Sequence, residues 1–388
     1  MLISRLRAKN WRNFTYINVK FSDITYIVGA NASGKSNFLD IFRFLRDIAN
    51  QNGGGLQKAV KDRGGMTKLR CLAARKQSDV ELHIELVDSK DKLESDQPDW
   101  KYSLCLHGGR SSKQAALIRS EDVYDAEGKN IHHRPGREDS ADSERLTQTS
   151  LEQINANNAF RPIATFFQKT LYLHLVPQLL KYPQLALQMI EADPFGQGFL
   201  GLIANATSES IRKSRLGRIE EILKKVIPHL KDLCFVRDGV GVPHLESKFH
   251  HWRKDAVPQR EDQFSDGTLR LIALMWTLMS TNDLVLLEEP ELSLHVDIVE
   301  QIPDIIRRTR ASRKVASGQV LVSTHSERML SDKSIDGRTI LYIRPGEHGE
   351  ASTLKTLSAT HLAAVEAGMP PATVVFPLTG HIKGRLIS

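Results

Sequence analysis

Eight residues near the amino terminus constrain this chain more than anything else in it. Gly29-Ala30-Asn31-Ala32-Ser33-Gly34-Lys35-Ser36 ends ITYIVG, a short apolar run of buried-strand type, and opens NFLDIFRFLRDIA, where Phe38, Ile41, Phe42, Leu45 and Ile48 recur at helical spacing. Strand, glycine loop and helix in that order match GxxxxGK[ST], a P-loop. The pattern has a physical logic: glycines let backbone N–H groups curl around phosphate oxygens while the helix N-terminus adds a favourable dipole. Lys35 can then reach the outer phosphates, and the Ser36 hydroxyl suits Mg2+.

A P-loop alone leaves the class of chemistry open, and three later motifs narrow it. Leu284-Val285-Leu286-Leu287 runs into Glu288-Glu289-Pro290-Glu291, an apolar strand that delivers two carboxylates. One of them can hold a metal shell and the next can polarise an attacking water. Phe264-Ser265-Asp266-Gly267-Thr268 opens a helix and can form an anion-binding nest, although taken alone SDGT is an ordinary helix cap. Gln319 to Thr324 is a further apolar strand, and it brings His325 to its C-terminal end, where α/β sheets bind ligands.

Taken in order, P-loop, SDGT, LLEEPE and STH resemble the ABC-type ATPase head of the RecF/SMC/Rad50 and OLD group, specifically the small stand-alone AAA15/AAA_21-like ATPases. FSDGTLR is similar to the ABC signature, LLEEPELSLH to Walker B with its D-loop, and STHS to the H-loop; NWRNF at Asn10 to Phe14 is similar to the group's N-terminal strand turn. The resemblance implies ATP and Mg2+ as cofactors, and a head-to-tail homodimer, or a higher even oligomer, closed through the ATP sites. It places Arg12, Asn13, Gly29, Ala30, Asn31, Ala32, Ser33, Gly34, Lys35, Ser36 and Asn37 at the nucleotide, with Ser265, Asp266 and Gly267 supplied in trans. Ser36 and Glu288 would hold Mg2+, Glu289 would be the catalytic base, and Lys35 and His325 would engage the γ-phosphate. Glu288 stands where aspartate is more usual, and the Q-loop has no clear match, Gln77 being a weak candidate.

The rest of the chain predicts an α/β fold: a P-loop ABC-type head with a parallel-rich sheet and an antiparallel N-terminal lobe, both ends (1–88 and 260–388) enclosing an inserted, mostly helical lobe at 89–259. VELHIELVD and WKYSLCLHG alternate as strands, the polar run from about Asn130 to Asn157 reads as a mobile surface loop, and a helical region is expected from about Thr147 to Lys231. No heptad pattern persists, so no long coiled coil is expected. Sixty-three residues follow His325, and from Leu354 onward Glu366 is the sole acidic one, so no metal-dependent nuclease is expected there.

Composition sets looser limits. Hydrophobic residues at 40% and charged ones at 26% describe a well-cored chain, and Cys71, Cys105 and Cys234 form neither a disulfide framework nor a cysteine metal site. A cytoplasmic protein without signal peptide or membrane helix is expected. Lys and Arg number 53 against 46 Asp and Glu, a formal charge of +7. The excess gathers in Lys58, Lys61, Arg63, Lys68, Arg70, Arg75 and Lys76 and in Arg212, Lys213, Arg215, Arg218, Lys224 and Lys225, stretches that could follow a phosphate backbone, meet an acidic partner or lie solvated. The paired histidines His132-His133 and His250-His251 read as surface residues. The functional expectation is an ATPase subunit controlling a separately encoded effector, a nuclease, in bacterial anti-phage defence; the alternative is a RecF-like DNA-binding repair or loading factor that uses ATP as a timer.

Overall fold

The computed structural model describes residues 1–74, 79–108, 115–176, 180–181, 199–249, 258–311, 318–346 and 350–380. Arg75, Lys76, Gln77, His250 and His251 lie outside them. In chain order the strands are β1 (Leu2–Trp11), β2 (Phe14–Lys20), β3 (Ile24–Val28), β4 (Val80–Val87), β5 (Trp100–Gly108), β6 (Ala116–Tyr124), β7 (Asn130–Arg134) and β8 (Leu171–Leu173). They continue with β9 (Leu230–Arg237), β10 (Pro243–Phe249), β11 (Gln259–Arg260), β12 (Val285–Glu288), β13 (Val320–Thr324), β14 (Ile340–Arg344) and β15 (Thr353–Thr356). The helices used below are α1 (Lys35–Ala49), α2 (Leu56–Asp62), α3 (Arg161–Gln168), α4 (Glu209–Leu223), α5 (Asp266–Ser280) and α6 (Ile302–Ala311).

The chain divides into two units, one made of residues 1–170, 318–325 and 336–388, the other of 171–317 and 326–335. The first unit holds an antiparallel sheet in the order β2-β1-β4-β5-β6-β7. Alternation builds it: Val80, Leu82, Ile84 and Leu86 of β4 are buried while the residues between them are not, and on that wetter face Lys9 pairs with Glu81 at 2.8 Å and Arg7 with Glu85 at 2.6 Å. Because β5, β6 and β7 continue the sheet begun by β1, the boundary expected at residue 88 falls inside one sheet.

A second sheet in this unit has β3 between β13 and β14, both parallel to it, with β15 antiparallel on the far side of β14. Its strands read as continuous apolar runs because helices cover such sheets. Against it lies α1, burying Phe38, Leu39, Ile41, Phe42, Phe44, Leu45 and Ile48, with Phe21, Phe38 and Phe42 meeting edge-on or stacked at 5.8 to 6.3 Å. Gln319, just before β13, accepts from the Ile3 N–H and donates to the carbonyls of Ile3 and Ser22, each at 2.9 Å. That one buried amide joins β1 and the start of β3 to the return of the chain.

The run from Asn130 to Asn157 is not the loop its composition predicts. Asn130–Arg134 pairs with β6, and the buried Arg134 guanidinium donates to Asp139 at 2.6 Å and to the carbonyls of Gln148 and Arg145 at 2.7 and 2.8 Å. Charges that composition counts as solvent-seeking here satisfy one another.

The second unit carries a strand, β8, within the stretch from about Thr147 to Lys231 that the sequence reads as helical. It contains an antiparallel sheet β11-β10-β9 and a parallel pair of β12 with β8, set in register Leu286 to Tyr172. Helix α4 begins where Ser208 Oγ accepts from the Ile211 N–H at 3.2 Å, and it buries Leu216, Ile219, Ile222 and Leu223. Among the described residues no helix is long and apolar enough to cross a membrane.

Candidate nucleotide-binding site

The glycine loop sits at the C-terminal end of β3. Its neighbour β13 ends at the same level, Val28 standing opposite Thr324, and the Gly29 N–H donates to the Thr324 carbonyl at 3.3 Å. His325 follows directly, so within the first unit two predicted site residues emerge at the carboxyl ends of adjacent parallel strands, where such sheets bind ligands. Lys35 arches back over the loop: its ammonium donates to the carbonyls of Gly29 and Ala30, each at 3.1 Å, and the side chain is only 5% exposed.

Two glycines are dictated by geometry. Gly34 has φ of +114°, and a Cβ there would lie 2.2 Å from Asn13 Nδ2; a Cβ on Gly29 would lie 2.4 Å from Ser33 Oγ and 3.3 Å from Ile343. Helix α1 starts at Gly34 with no side-chain cap and no acidic residue in its first turn. Its positive dipole end is therefore unopposed by any carboxylate of that turn. The buried Ser33 hydroxyl has no hydrogen-bond partner among the described residues. A buried ammonium, an uncapped helix of fifteen residues and an orphaned hydroxyl form a loop suited to phosphate oxygens.

Arg12 and Asn13, both expected near the nucleotide, differ in what they do. Arg12 donates to Asp40 of α1 at 2.6 and 2.9 Å, beside Arg63, which binds both Asp40 oxygens and Asp47. Burial alone would raise the Asp40 carboxyl, but Arg63, supported by Arg12 and Arg43, overrides it and holds the group below the usual carboxylate range. Asn13 instead touches the loop itself, donating to the Ser33 carbonyl at 3.0 Å and accepting from Asn37 Nδ2 at 2.9 Å.

The second unit carries the remaining predicted residues. Glu288 ends β12, where the Tyr172 hydroxyl of β8 donates to its carboxylate. Glu289, next in sequence, has φ of +45°, a left-handed backbone uncommon for a residue with a side chain, and its carbonyl accepts from the Leu292 N–H at 3.1 Å. Ser265 caps α5, its Oγ accepting from the Thr268 N–H at 3.1 Å, so the helix-cap reading of SDGT is correct as local structure. Asp266 pairs with Lys181 at 2.8 Å, and a Cβ on Gly267 would lie 2.9 Å from Leu294. Ser36 and Glu288 each carry the kind of hard oxygen donor that Mg2+ takes.

Sequence reasoning missed Tyr172, Lys181 and Ser352. A signal existed for the first: Leu171, Leu173 and Leu175 alternate in LYLHL, but the run lay inside a stretch read as helical. The basic stretches also look different in three dimensions. Lys213, Arg218 and Lys224 pair with Glu209, Glu221 and Glu220, Arg212 stacks 4.2 Å over Phe235, and Arg215 lies 5.4 Å over Trp276. In the earlier stretch Lys58 pairs with Asp62 and Arg63 is buried on Asp40, while Lys61, Lys68 and Arg70 are exposed.

Strand, glycine loop, buried lysine and uncapped helix define a P-loop nucleotide-binding protein. The family model described as "AAA domain, putative AbiEii toxin, Type IV TA system" matches residues 24–331, and the chain belongs to that family of AAA ATPases. In fold it is similar to an SMC head bound to the C-winged-helix domain of ScpA, at 17% identity over 92% of this chain and 98% of that one, with a TM-score of 0.55. It is similar too to an SMC head with an extended coiled coil bound to the C-terminal domain of ScpA, from Pyrococcus furiosus, at 14% identity over 94% and 98% of the two chains and a TM-score of 0.50. No functionally curated protein matches the chain.

Proposed function

We propose that this protein binds ATP with Mg2+ at the P-loop, hydrolyses it, dimerises head-to-tail around it, and thereby controls a separately encoded effector, a nuclease, in defence against phage. The observation that carries the reading is the loop at Gly29 to Ser36, with a buried ammonium above it and an uncapped helix behind it.

In this mechanism Lys35 exchanges its two carbonyl partners for phosphate oxygens, and the α1 N–H groups receive the remainder. Ser36 and Glu288 would hold Mg2+, which would supply charge neutralisation on the phosphate oxygens. Glu289, at its left-handed backbone position, takes a proton from the attacking water, and His325 hydrogen-bonds the γ-phosphate. Ser265 and Gly267 of the partner subunit close the site, the α5 N-terminus directing its dipole at the same phosphate. The family description, naming a toxin–antitoxin system, supports a role in bacterial conflict. The repair-factor alternative receives less support, because the basic residues of α4 and the turn after it are largely paired or stacked.

The test is equilibrium binding of a fluorescent ATP analogue together with phosphate release. Wild type should bind and turn over, Lys35→Ala should bind nothing, and a wild type that binds no ATP with Mg2+ present would end the reading.

A further inference from the structure

Ser352 lies just before β15, far from every motif, yet it touches the glycine loop. Its hydroxyl donates to the Ser33 carbonyl at 2.8 Å and accepts from Asn13 Nδ2 at 2.9 Å, and its backbone N–H donates to the Asn13 carbonyl at 2.8 Å. The residue is 6% exposed. The Ser33 carbonyl therefore receives two hydrogen bonds, from Ser352 and from Asn13, while Asn13 is held in turn by Asn37.

In a trans peptide the carbonyl and the following N–H point in opposite directions. Fixing the Ser33 carbonyl from one side fixes the Gly34 N–H on the other, at the residue whose φ of +114° opens α1. That peptide is the hinge between loop and helix, and a glycine there has wide freedom unless its neighbours remove it. The adjoining Ser33 hydroxyl is itself buried and unpartnered among the described residues.

We propose that Ser352 is a positioning residue for the nucleotide: with Asn13 it clamps the Ser33–Gly34 peptide, so that the loop N–H groups are aimed before a phosphate arrives. The inference rests on the reading of the loop as an ATP site. It also links the segment preceding β15 to nucleotide affinity, since the clamp cannot close unless that segment is seated on Asn13.

The experiment titrates the full chain with a fluorescent ATP analogue and Mg2+, comparing wild type with Ser352→Ala, Ser352→Thr, Asn13→Ala and the double variant, and records thermal unfolding without nucleotide. One lost hydrogen bond that orients a donor corresponds to about five- to tenfold weaker binding. Ser352→Ala should show that loss while its nucleotide-free unfolding stays close to wild type, and Ser352→Thr, which keeps the hydroxyl, should recover most of it. The double variant should lose less than the product of the two single effects, because both act on one carbonyl. Equal affinity of Ser352→Ala and wild type would overturn the proposal, as would a threonine variant as weak as the alanine one. Failure of the ATP reading is a distinct result: wild type and Lys35→Ala would then be equally unable to bind.

Discussion

At the scale of the residue, two positions show what backbone geometry demands. Gly34 is excluded from carrying a side chain twice over, by its left-handed φ and by Asn13 at 2.2 Å from the position of a Cβ. Gly34→Ala should cost about 1–3 kcal/mol in urea unfolding and weaken ATP binding as Asn13 is pushed away. Glu289 shares the left-handed backbone, at φ of +45°, which costs a residue with a side chain about 1–3 kcal/mol. Under the proposed mechanism Glu289→Gln should retain ATP binding while phosphate release falls by at least about a hundredfold. Turnover at the wild-type rate in that variant would remove Glu289 from the role of base.

Among the elements, the contacts around α1 decide stability. Arg63 is buried and shared between Asp40 and Asp47, and Arg12 reaches the same Asp40 from the turn between β1 and β2. Removing one partner of a buried charge leaves the other uncompensated, so Arg63→Ala should lose about 3 kcal/mol by denaturant unfolding. The better exposed Arg12 should cost less when replaced. Acid should act in two steps. Burial pushes the His132 imidazole below its ordinary value, so its neutral form is favoured in the fold; its contribution is complete above about pH 6.5 and declines as pH falls below that. The depressed Asp40 carboxyl contributes fully above about pH 4 and is lost as pH falls through its lower folded value. Melting temperature followed from pH 7.5 to 3 should show both declines, with Asp40→Asn lessening the lower one, to which Asp139 and other depressed carboxyls also contribute. The elements were unequally legible in the sequence. β3, α1, α5, β12 and β13 could be read because their apolar periods are strong and their ends carry motif residues. β8 was missed, being three residues long, and the paired charges around Arg134 concealed β7, because composition registers charge but not the partner that neutralises it. Within the site the loop and its lysine were visible in the sequence, whereas Ser352 was not, since nothing in its neighbourhood marks a serine that reaches across more than three hundred residues to Ser33.

For the whole molecule, the proposed assembly makes a claim that size measurements can reach. Glu289→Gln incubated with ATP and Mg2+ should elute as a dimer or higher even oligomer and shift to smaller species without nucleotide. Ser265→Arg should prevent the shift, because the added bulk and the lost α5 cap fall at the surface proposed to meet the other protomer's phosphate. An unaltered shift in Ser265→Arg would rule out capping in trans. The parallel pairing of β3 has a consequence for how the protein is made. Both of its neighbours, β13 and β14, are supplied from beyond Gly318, whereas the antiparallel sheet is complete once Arg134 has been translated. On the ribosome the antiparallel sheet can therefore form early, while the strand that carries the glycine loop must wait, unpaired and apolar, for most of the chain to emerge. Nucleotide affinity is thus acquired late in synthesis, and a nascent chain halted before Val320 would display the complete P-loop motif without the strands that make it a site.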